Sequence, residues 1–310
     1  MTRAVVCLVV AVALAESFLR TGVLPSYRSA RVRALRSARV VVAGDSFSLD
    51  QDGMAVGRLR HALAARGVGL VSLAQPGMGP RDYRDAIVEA LAMGRPDVLV
   101  VNYYVGNDVS DTMRARRDVP GWRSRLRRVV RRSFLAGLIL DGAGAVRQWW
   151  MLQRVPVGGQ VSSARNPFLV DLGRRQPGYL AWNLDLAGPE PLAAWRENQD
   201  LLREIRDRCR AAGVTLRVHI WPSTVQVNGS HLAFYRGLGF ETDASWASRD
   251  RPQAQFTAFC AAEGLVCRDW LPALRSDGRE LYLDGDDHWN ETGHQVAFDL
   301  LYGDLAPLIR

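Results

Sequence analysis

The chain alternates between short apolar runs and longer stretches in which apolar residues recur every three or four positions. The apolar runs predict buried strands at 39–43, 68–74, 97–105, 214–221 and 265–269. The periodic stretches predict helices at 52–66, 81–93, 191–212 and 253–263, with a terminal helix from about 295. Strand and helix in alternation require parallel pairing through right-handed crossovers. We therefore predict one α/β domain with a five-stranded parallel sheet.

The alternation breaks between 109 and 188, which we interpret as an insertion into the domain. This part holds a basic segment at 123–132, an apolar segment at 134–140 and the pair Trp149–Trp150. We expect a helical cap over the sheet edge with a solvated arginine face. The alternative is an amphipathic element lying on a membrane surface. The apolar segment is too short to span a bilayer.

The amino terminus carries a second apolar run, at 4–15, directly behind Arg3. Its length suits the hydrophobic region of a signal peptide, and Ala13-Leu14-Ala15 could serve as the cleavage site. We therefore expect residues 1–38 to be a signal or membrane anchor with an arginine-rich linker, and 39–310 to be the domain. The predicted location is the cell envelope. The arginines after the run oppose this orientation, so a first helix packed on a cytoplasmic domain stays open.

The composition is that of a folded protein, with 48% hydrophobic and 23% charged residues. All 40 basic residues are arginine, which reflects a coding bias more than a function, so the net charge of +8 is weak support for a nucleic-acid partner. No zinc-finger spacing or phosphate-binding loop occurs, and we expect no nucleic-acid partner. Cys209 is expected to be buried. Cys260 and Cys267 could form a disulfide or remain two core thiols.

Polar residues of distinct kinds follow the predicted strands. Ser46 follows the first strand, Gly77 the second and Asn107 the third, and Asp286 and His288 follow the fifth. The carboxyl ends of parallel strands share one edge, where ligands bind. A serine nucleophile needs a base and an orienting carboxylate, which His288 and Asp286 can supply. The backbone N–H groups of Ser46 and Gly77 and the Asn107 amide are suitable oxyanion donors.

Four segments of the sequence resemble the blocks that define the SGNH/GDSL hydrolase superfamily. They are 44–47 with Ser46, 74–79 with Gly77, 105–108 with Asn107, and 286–290 with His288 in its His-Trp-Asn form. The resemblance covers most of 39–112 and 190–310, but not the insertion. It implies a three-layer α/β/α, flavodoxin-like fold and ester chemistry on acylated small molecules, lipids or glycans. It also suggests kinship with envelope proteins that add or remove acyl groups on polysaccharides.

The last block departs from the usual spacing, in which Asp stands three residues before His, because position 285 is Gly. We choose Asp286, two residues before His288, because side chains two apart in an extended segment point the same way. Asp287 is then expected to point away, and Asp284 is the second choice. We expect His294 to pack in the terminal helix and His219 to be a core histidine.

The leading hypothesis is a serine ester hydrolase that forms an acyl-Ser46 intermediate without metal or cofactor. Its expected substrates are small esters or O-acyl groups of envelope glycans, with a membrane tether as a further expectation. An O-acyltransferase that passes the acyl group to a sugar would use the same residues, and a cap that excludes water would favour it. A third hypothesis is a non-catalytic, glycan-binding relic. A cytosolic acyl-thioester hydrolase is the fourth.

Overall fold

A computed structural model describes residues 27–117, 167–284 and 286–309 of the chain. The predicted signal run at 4–15, the basic and apolar segments of the insertion, and Trp149–Trp150 lie outside the described residues. Within the described part, no helix is both long and apolar enough to cross a membrane. The predicted anchor therefore stays a prediction.

Five parallel strands form one sheet in the order β2-β1-β3-β4-β5. They are β1 (Val40–Ala43), β2 (Leu70–Ser72), β3 (Val98–Tyr104), β4 (Thr215–Trp221) and β5 (Cys267–Asp269). β1 pairs on both sides, so that Val41 is opposite Val71 of β2 and Leu99 of β3. β1 and β3 are buried at every position, as expected for strands covered on both faces.

Helices cover both faces of this sheet. The helices of the described residues are α1 (Tyr27–Ser37), α2 (Ala55–Ala64), α3 (Pro80–Met93), α4 (Asp108–Arg117), α5 (Pro167–Arg175), α6 (Tyr179–Leu184), α7 (Pro189–Ala212), α8 (Thr224–Val227), α9 (His231–Gly237), α10 (Arg251–Glu263), α11 (Leu271–Ser276) and α12 (Glu291–Leu305). Short 3₁₀ turns occur at Ser46–Ser48, Ala244–Ala247 and Ala306–Leu308.

The side chains of each strand alternate between two cores. Val41, Leu99 and Val218 face one core with α3, α7 and α10. Val42 and Val100 face the other core with α2 and α12. The alternation follows from the two-residue period of a strand. The predicted three-layer α/β/α fold with a five-stranded parallel sheet is confirmed.

The chain divides into two compact units, one of Met1–Ala34 and Asp118–Val157, the other of Leu35–Arg117 and Gly158–Arg310. The second unit holds the whole sheet, whereas only 27–34 of the first is described. The described ends of the predicted insertion are helical, and they contribute Val109, Met113, Leu169 and Leu180 to the buried cores. The predicted domain boundaries at 38 and at 109–188 stay predictions.

Candidate active site

The turn after β1 presents Ser46 at the carboxyl edge of the sheet. Asp45 caps the 3₁₀ turn Ser46–Ser48, and its Oδ1 accepts a hydrogen bond of 3.0 Å from the Phe47 N–H. Gly44 is required here by space, because a Cβ at this position would lie 2.3 Å from Ser48 Oγ. The Gly-Asp-Ser sequence therefore combines close packing, a cap and a half-buried Ser46 in one short turn.

Three of the predicted site residues form a hydrogen-bonded chain. His288 Nε2 lies 2.9 Å from Ser46 Oγ, and His288 Nδ1 lies 2.6 Å from Asp286 Oδ1. With its hydrogen on Nδ1, the ring donates to Asp286 and accepts from the Ser46 hydroxyl. The His288 side chain is 33% exposed and that of Asp286 is 20% exposed. His288 is therefore the more accessible of the two side chains.

Asp287 also reaches His288, which corrects the expectation that it points away. Its Oδ1 lies 3.3 Å from His288 Nδ1, and its Oδ2 accepts from the Tyr235 hydroxyl at 3.4 Å. The segment is not extended, because the N–H groups of Asp287 and His288 both donate to Asp286 Oδ1. Local bonds of this kind curl a loop around an Asp side chain. Asp284, the second choice, is exposed.

The three ionisable groups of this loop shift one another's pKa. Burial would lower the pKa of His288, but the hydrogen bond to Asp286 and the charges of Asp287 and Asp286 raise it to about 9. Burial opposes ionisation of Asp286, yet the hydrogen bond and charge of His288 hold its pKa below the usual range. Burial and the charge of Asp286 raise the pKa of Asp287. Asp286 is therefore the ionised partner of the base.

Aromatic rings fix the plane of the imidazole. Phe47, in the nucleophile turn, stacks on His288 with ring centroids 5.1 Å apart. Trp289 makes a T-shaped contact with Phe47, with ring centroids 4.9 Å apart, and is itself buried. Residues 281–290 are tied together because Leu283 N–H donates to the His288 carbonyl at 2.9 Å. The ring of Phe47, which follows Ser46 in the chain, thus packs against both His288 and Trp289.

Asn107 lies in the turn between β3 and α4, and its Nδ2 donates to Asp45 Oδ2 at 3.0 Å. An amide nitrogen has two hydrogens, so the second remains for an oxyanion. Burial raises the pKa of Asp45, against hydrogen bonds from Phe47 and Asn107 that lower it. The Asp45 carboxylate therefore orients the Asn107 amide and the Ser46 turn together.

Gly77 lies in the loop between β2 and α3, with φ +73°. A Cβ at this position would meet nothing within 4 Å, so space does not require a glycine here. The positive φ does, because residues with a side chain rarely adopt it. This loop follows β2 at the same sheet edge as Ser46 and Asn107. Its backbone N–H is the third oxyanion donor that the sequence predicts, and that role stays a prediction.

Among the described residues, one group could hold a metal ion: oxygen atoms of Asp286 and Asp287 and a ring nitrogen of His288 lie within 4.8 Å of one another. His288 Nδ1 faces both carboxylates, so a cation there would displace the hydrogen that orients the base. The residues suit proton transfer better than metal binding. The expectation of no metal or cofactor stays a prediction.

Other predicted residues lie where their surroundings explain them. His294, in α12, accepts at Nδ1 from the Ala55 N–H at 3.3 Å and packs on Trp289. His219 is fully buried, and Cys209 is a buried free thiol.

Cys260 and Cys267 form a disulfide with Cα atoms 6.2 Å apart. No pattern in the sequence predicts the contacts of Phe47 and Tyr235, and only the adjacent Asp-Asp-His residues hint at that of Asp287.

Residues 179–306 match the family model described as "SGNH hydrolase-like domain, acetyltransferase AlgX". The matched part includes Asp286 and His288 but not Ser46, Gly77 or Asn107. A search of curated proteins finds no match.

Solved structures of similar proteins cover most of both chains at low identity. The acetyl xylan esterase AlAXEase has 10% identity and a TM-score of 0.46, covering 86% of this chain and 99% of its own. The lipase/acylhydrolase from Enterococcus faecalis has 14% identity and a TM-score of 0.41, covering 87% of this chain and 96% of its own. A GDSL-like lipase from Bacteroides thetaiotaomicron has 10% identity and a TM-score of 0.44, covering 91% of this chain and 96% of its own.

The four motifs, the sheet order and the matched domain agree with one another. The expected resemblance to the SGNH/GDSL superfamily is confirmed over residues 179–306, which match its hydrolase-like domain, and the sheet is the five-stranded one that the sequence predicts.

Proposed function

We propose that the chain is a serine hydrolase that cleaves an ester through an acyl-Ser46 intermediate. The observation that carries the proposal is the hydrogen-bonded chain from Ser46 Oγ through His288 to Asp286. This arrangement supplies a nucleophile, a general base and a carboxylate that fixes the tautomer of the base.

In the first step, His288 Nε2 takes the proton of Ser46 Oγ as this oxygen attacks the ester carbonyl. Asp286 stabilises the imidazolium that forms, and the Asn107 amide with the N–H groups of Ser46 and Gly77 receives the oxyanion. Each such donor is typically worth about 3 kcal/mol of barrier. The imidazolium then gives its proton to the leaving alkoxide. Water, deprotonated by His288, cleaves the acyl-enzyme and regenerates the Ser46 hydroxyl.

We propose O-acyl groups on envelope glycans as the substrate class, with small esters as the simpler alternative. The support is the description of the matched family, which names an acetyltransferase. The same description supports a second function, transfer of the acyl group to a sugar hydroxyl. The two differ only in whether water or a sugar deprotonated by His288 attacks the acyl-enzyme. A glycan-binding relic would have no need of the aligned Ser46 and His288.

Turnover of nitrophenyl esters with acetyl, butyryl and longer acyl chains tests the proposal. Ser46→Ala should abolish turnover while the protein stays folded, and Ser276→Ala, at the end of α11, is the matched control. Adding an acetylated donor with a sugar oligosaccharide and analysing products by mass distinguishes transfer from hydrolysis. Substantial turnover by Ser46→Ala would exclude Ser46 as the nucleophile, and a folded wild type that turns over no ester would favour the relic.

We further propose that the domain is exported to the envelope or tethered to its membrane. The apolar run at 4–15 motivates this location, and the Cys260–Cys267 disulfide is compatible with an oxidising compartment. A fusion of residues 1–40 to a reporter that is active only after export tests it. Reporter activity equal to that of a fusion lacking residues 1–40 would place the domain in the cytoplasm.

A further inference from the structure

A line of buried polar side chains lies between the sheet and α12 and ends at the turn that carries Ser46. His219 Nε2 lies 3.1 Å from Asp304 Oδ2, and His219 Nδ1 lies 3.1 Å from Asn102 Oδ1. Asn102 Nδ2 donates to Ser48 Oγ at 2.9 Å. Ser48, Asn102 and His219 are each no more than 2% exposed. We call these four residues the buried polar line.

The line occupies positions that apolar residues fill elsewhere in the sheet. Asn102 and His219 are directly paired in the register of β3 and β4, among valines and isoleucine. Burying polar groups costs free energy, which hydrogen bonds only offset. A pair of valines would fill these positions without that cost. The placement therefore calls for a role other than packing.

One end of the line is held in place by charge. Asp304, in α12, accepts from Arg268 Nε at 2.8 Å, and Arg217 Nε lies 3.6 Å away. Burial would raise the pKa of Asp304, but hydrogen bonds from His219 and Arg268 lower it to about 2. Its carboxylate is therefore ionised at neutral pH and forms a fixed anchor.

The line stays complete with a neutral His219. Burial lowers the pKa of His219 despite the charge of Asp304, so its single hydrogen belongs on Nε2, where it is donated to Asp304. A half-turn of the Asn102 amide then lets it donate to His219 Nδ1 and accept from the Ser48 hydroxyl. No change of charge is needed to keep the line intact, which favours a positioning role over a pH switch.

The other end reaches two of the loops that form the candidate site. Ser48 is the last residue of the 3₁₀ turn that begins with Ser46. The Ser48 carbonyl accepts from Ser72 Oγ at 2.9 Å, and Ser72 Oγ accepts from the Ala74 N–H at 3.2 Å. Ala74 begins the loop that carries Gly77. Ser48 therefore links the nucleophile turn to a loop that we expect to supply an oxyanion donor.

Gly44 makes room for this link. A Cβ on Gly44 would lie 2.3 Å from Ser48 Oγ and 3.1 Å from the Asn102 Cβ. A side chain at position 44 would push Ser48 away from Asn102. The glycine that precedes Asp45 and Ser46 is thus needed where the buried polar line meets the turn.

We propose that Asp304, His219 and Asn102 are positioning residues. They hold the Ser46 turn in place through the hydrogen bond between Asn102 and Ser48. None of them contacts Ser46 or His288, so they act through Ser48. A misplacement of about 1 Å at a reacting group can cost about 100-fold in rate. The inference rests on the proposed function in one respect, since it takes Ser46 to be the nucleophile.

The test measures how fast a fluorophosphonate labels Ser46, with the modified peptide identified by mass. Asn102→Ala and Ser48→Ala cut the same hydrogen bond from its two sides, and we expect each to slow labelling and kcat about 10-fold with little change in KM. The double variant should be no slower than the worse single variant, because both remove one shared contact.

Gln253→Ala is the matched control. It removes the buried pair in which Gln226 and Gln253 exchange hydrogen bonds of 2.8 and 2.9 Å, neither of which involves Ser46 or Ser48. We expect it to lower thermal stability as much as Asn102→Ala but to leave the labelling rate within about twofold. His219→Gln, which keeps a donor for Asp304, serves if Asn102→Ala does not fold, and it should also slow labelling.

The inference would be overturned, with Ser46 still the nucleophile, if Asn102→Ala, Ser48→Ala and His219→Gln kept labelling rates within twofold of wild type. It would also be overturned if the slowing in the double variant equalled the product of the two single effects. Failure of the wild type itself to be labelled at Ser46 would overturn the proposed function, and this inference with it.

Discussion

Ser46 and His288 are 242 positions apart, yet the Ser46 hydroxyl oxygen lies 2.9 Å from His288 Nε2. The serine follows β1 directly, whereas the histidine stands in a loop just before α12. That loop is held by Asn290, whose Nδ2 donates to the carbonyls of Glu280 and Tyr282. Asn290 therefore ties the loop that carries His288 to the segment at Glu280 and Tyr282.

Asn290→Ala should lower both stability and kcat. Its Oδ1 caps α12 by accepting from the Gly293 N–H at 2.9 Å, and loss of such a cap costs about 1 kcal/mol. Release of the loop should lower kcat about 10-fold or more through misplacement of His288. Chemical unfolding and ester turnover measure the two effects. An Asn290→Ala protein that loses stability but keeps its kcat would show that Phe47 and Trp289 position His288 without Asn290.

Asp286→Asn should lower kcat by about two to four orders of magnitude, in line with the loss when the Asp of a serine protease triad is amidated. Asp284→Asn should have little effect, because Asp284 is exposed. Both are isosteric, and steady-state kinetics at a fixed pH compares them. A near-normal Asp286→Asn beside a crippled Asp284→Asn would transfer the role to Asp284.

The pH dependence of kcat/KM should reflect the raised pKa of His288. A general base must be neutral, so activity should rise with pH as His288 loses its proton. Its pKa lies above the ordinary 6.5, at about 9, so the rise should fall on the alkaline side of 6.5. A full pH profile with a nitrophenyl ester measures it. A midpoint below 6.5 would mean that the carboxylates do not act on His288 in this way.

Asp287→Asn should move that rise to lower pH, by about one pH unit. Asp287 Oδ1 lies 3.3 Å from His288 Nδ1, so its charge favours the protonated ring. Removing this charge makes His288 a weaker base that is neutral over a wider range. Asp250→Asn, which lies before α10, is the control. A profile that Asp287→Asn leaves unmoved would mean that Asp286 alone sets the basicity.

Replacing both Cys260 and Cys267 with Ser should lower the free energy of unfolding by about 2–3 kcal/mol, from the entropy of the short loop that the disulfide closes. The disulfide ties the end of α10 to β5, a three-residue edge strand. Unfolding with and without reductant measures the effect, with Cys209→Ser as a control for the buried thiol. Stability that is indifferent to reductant would mean that the two thiols are not bonded.

Local patterns determined most of the architecture and the identity of four candidate residues. Buried parallel strands must be continuous apolar runs, so β1, β3 and β4 are visible in the sequence. Turn residues after the predicted strands pointed to Ser46, Gly77, Asn107 and His288, since the carboxyl ends of parallel strands bring these loops to one edge of the sheet. The strand order is compatible with this pattern but does not follow from it, because helices of similar character cover both faces.

Tertiary structure alone decided which carboxylates face His288. Side-chain alternation predicted that Asp287 points away, but backbone N–H groups curl the loop around Asp286 and bring both carboxylates to the ring. The buried polar line was likewise hidden, because Asn102, His219 and Asp304 lie on three elements far apart in the sequence. Their hydrogen bonds exist only once β3, β4 and α12 have packed. A single polar residue within an apolar run indicates that the cost of burying it must be offset by hydrogen bonds. Only the packed fold shows which residues supply those bonds.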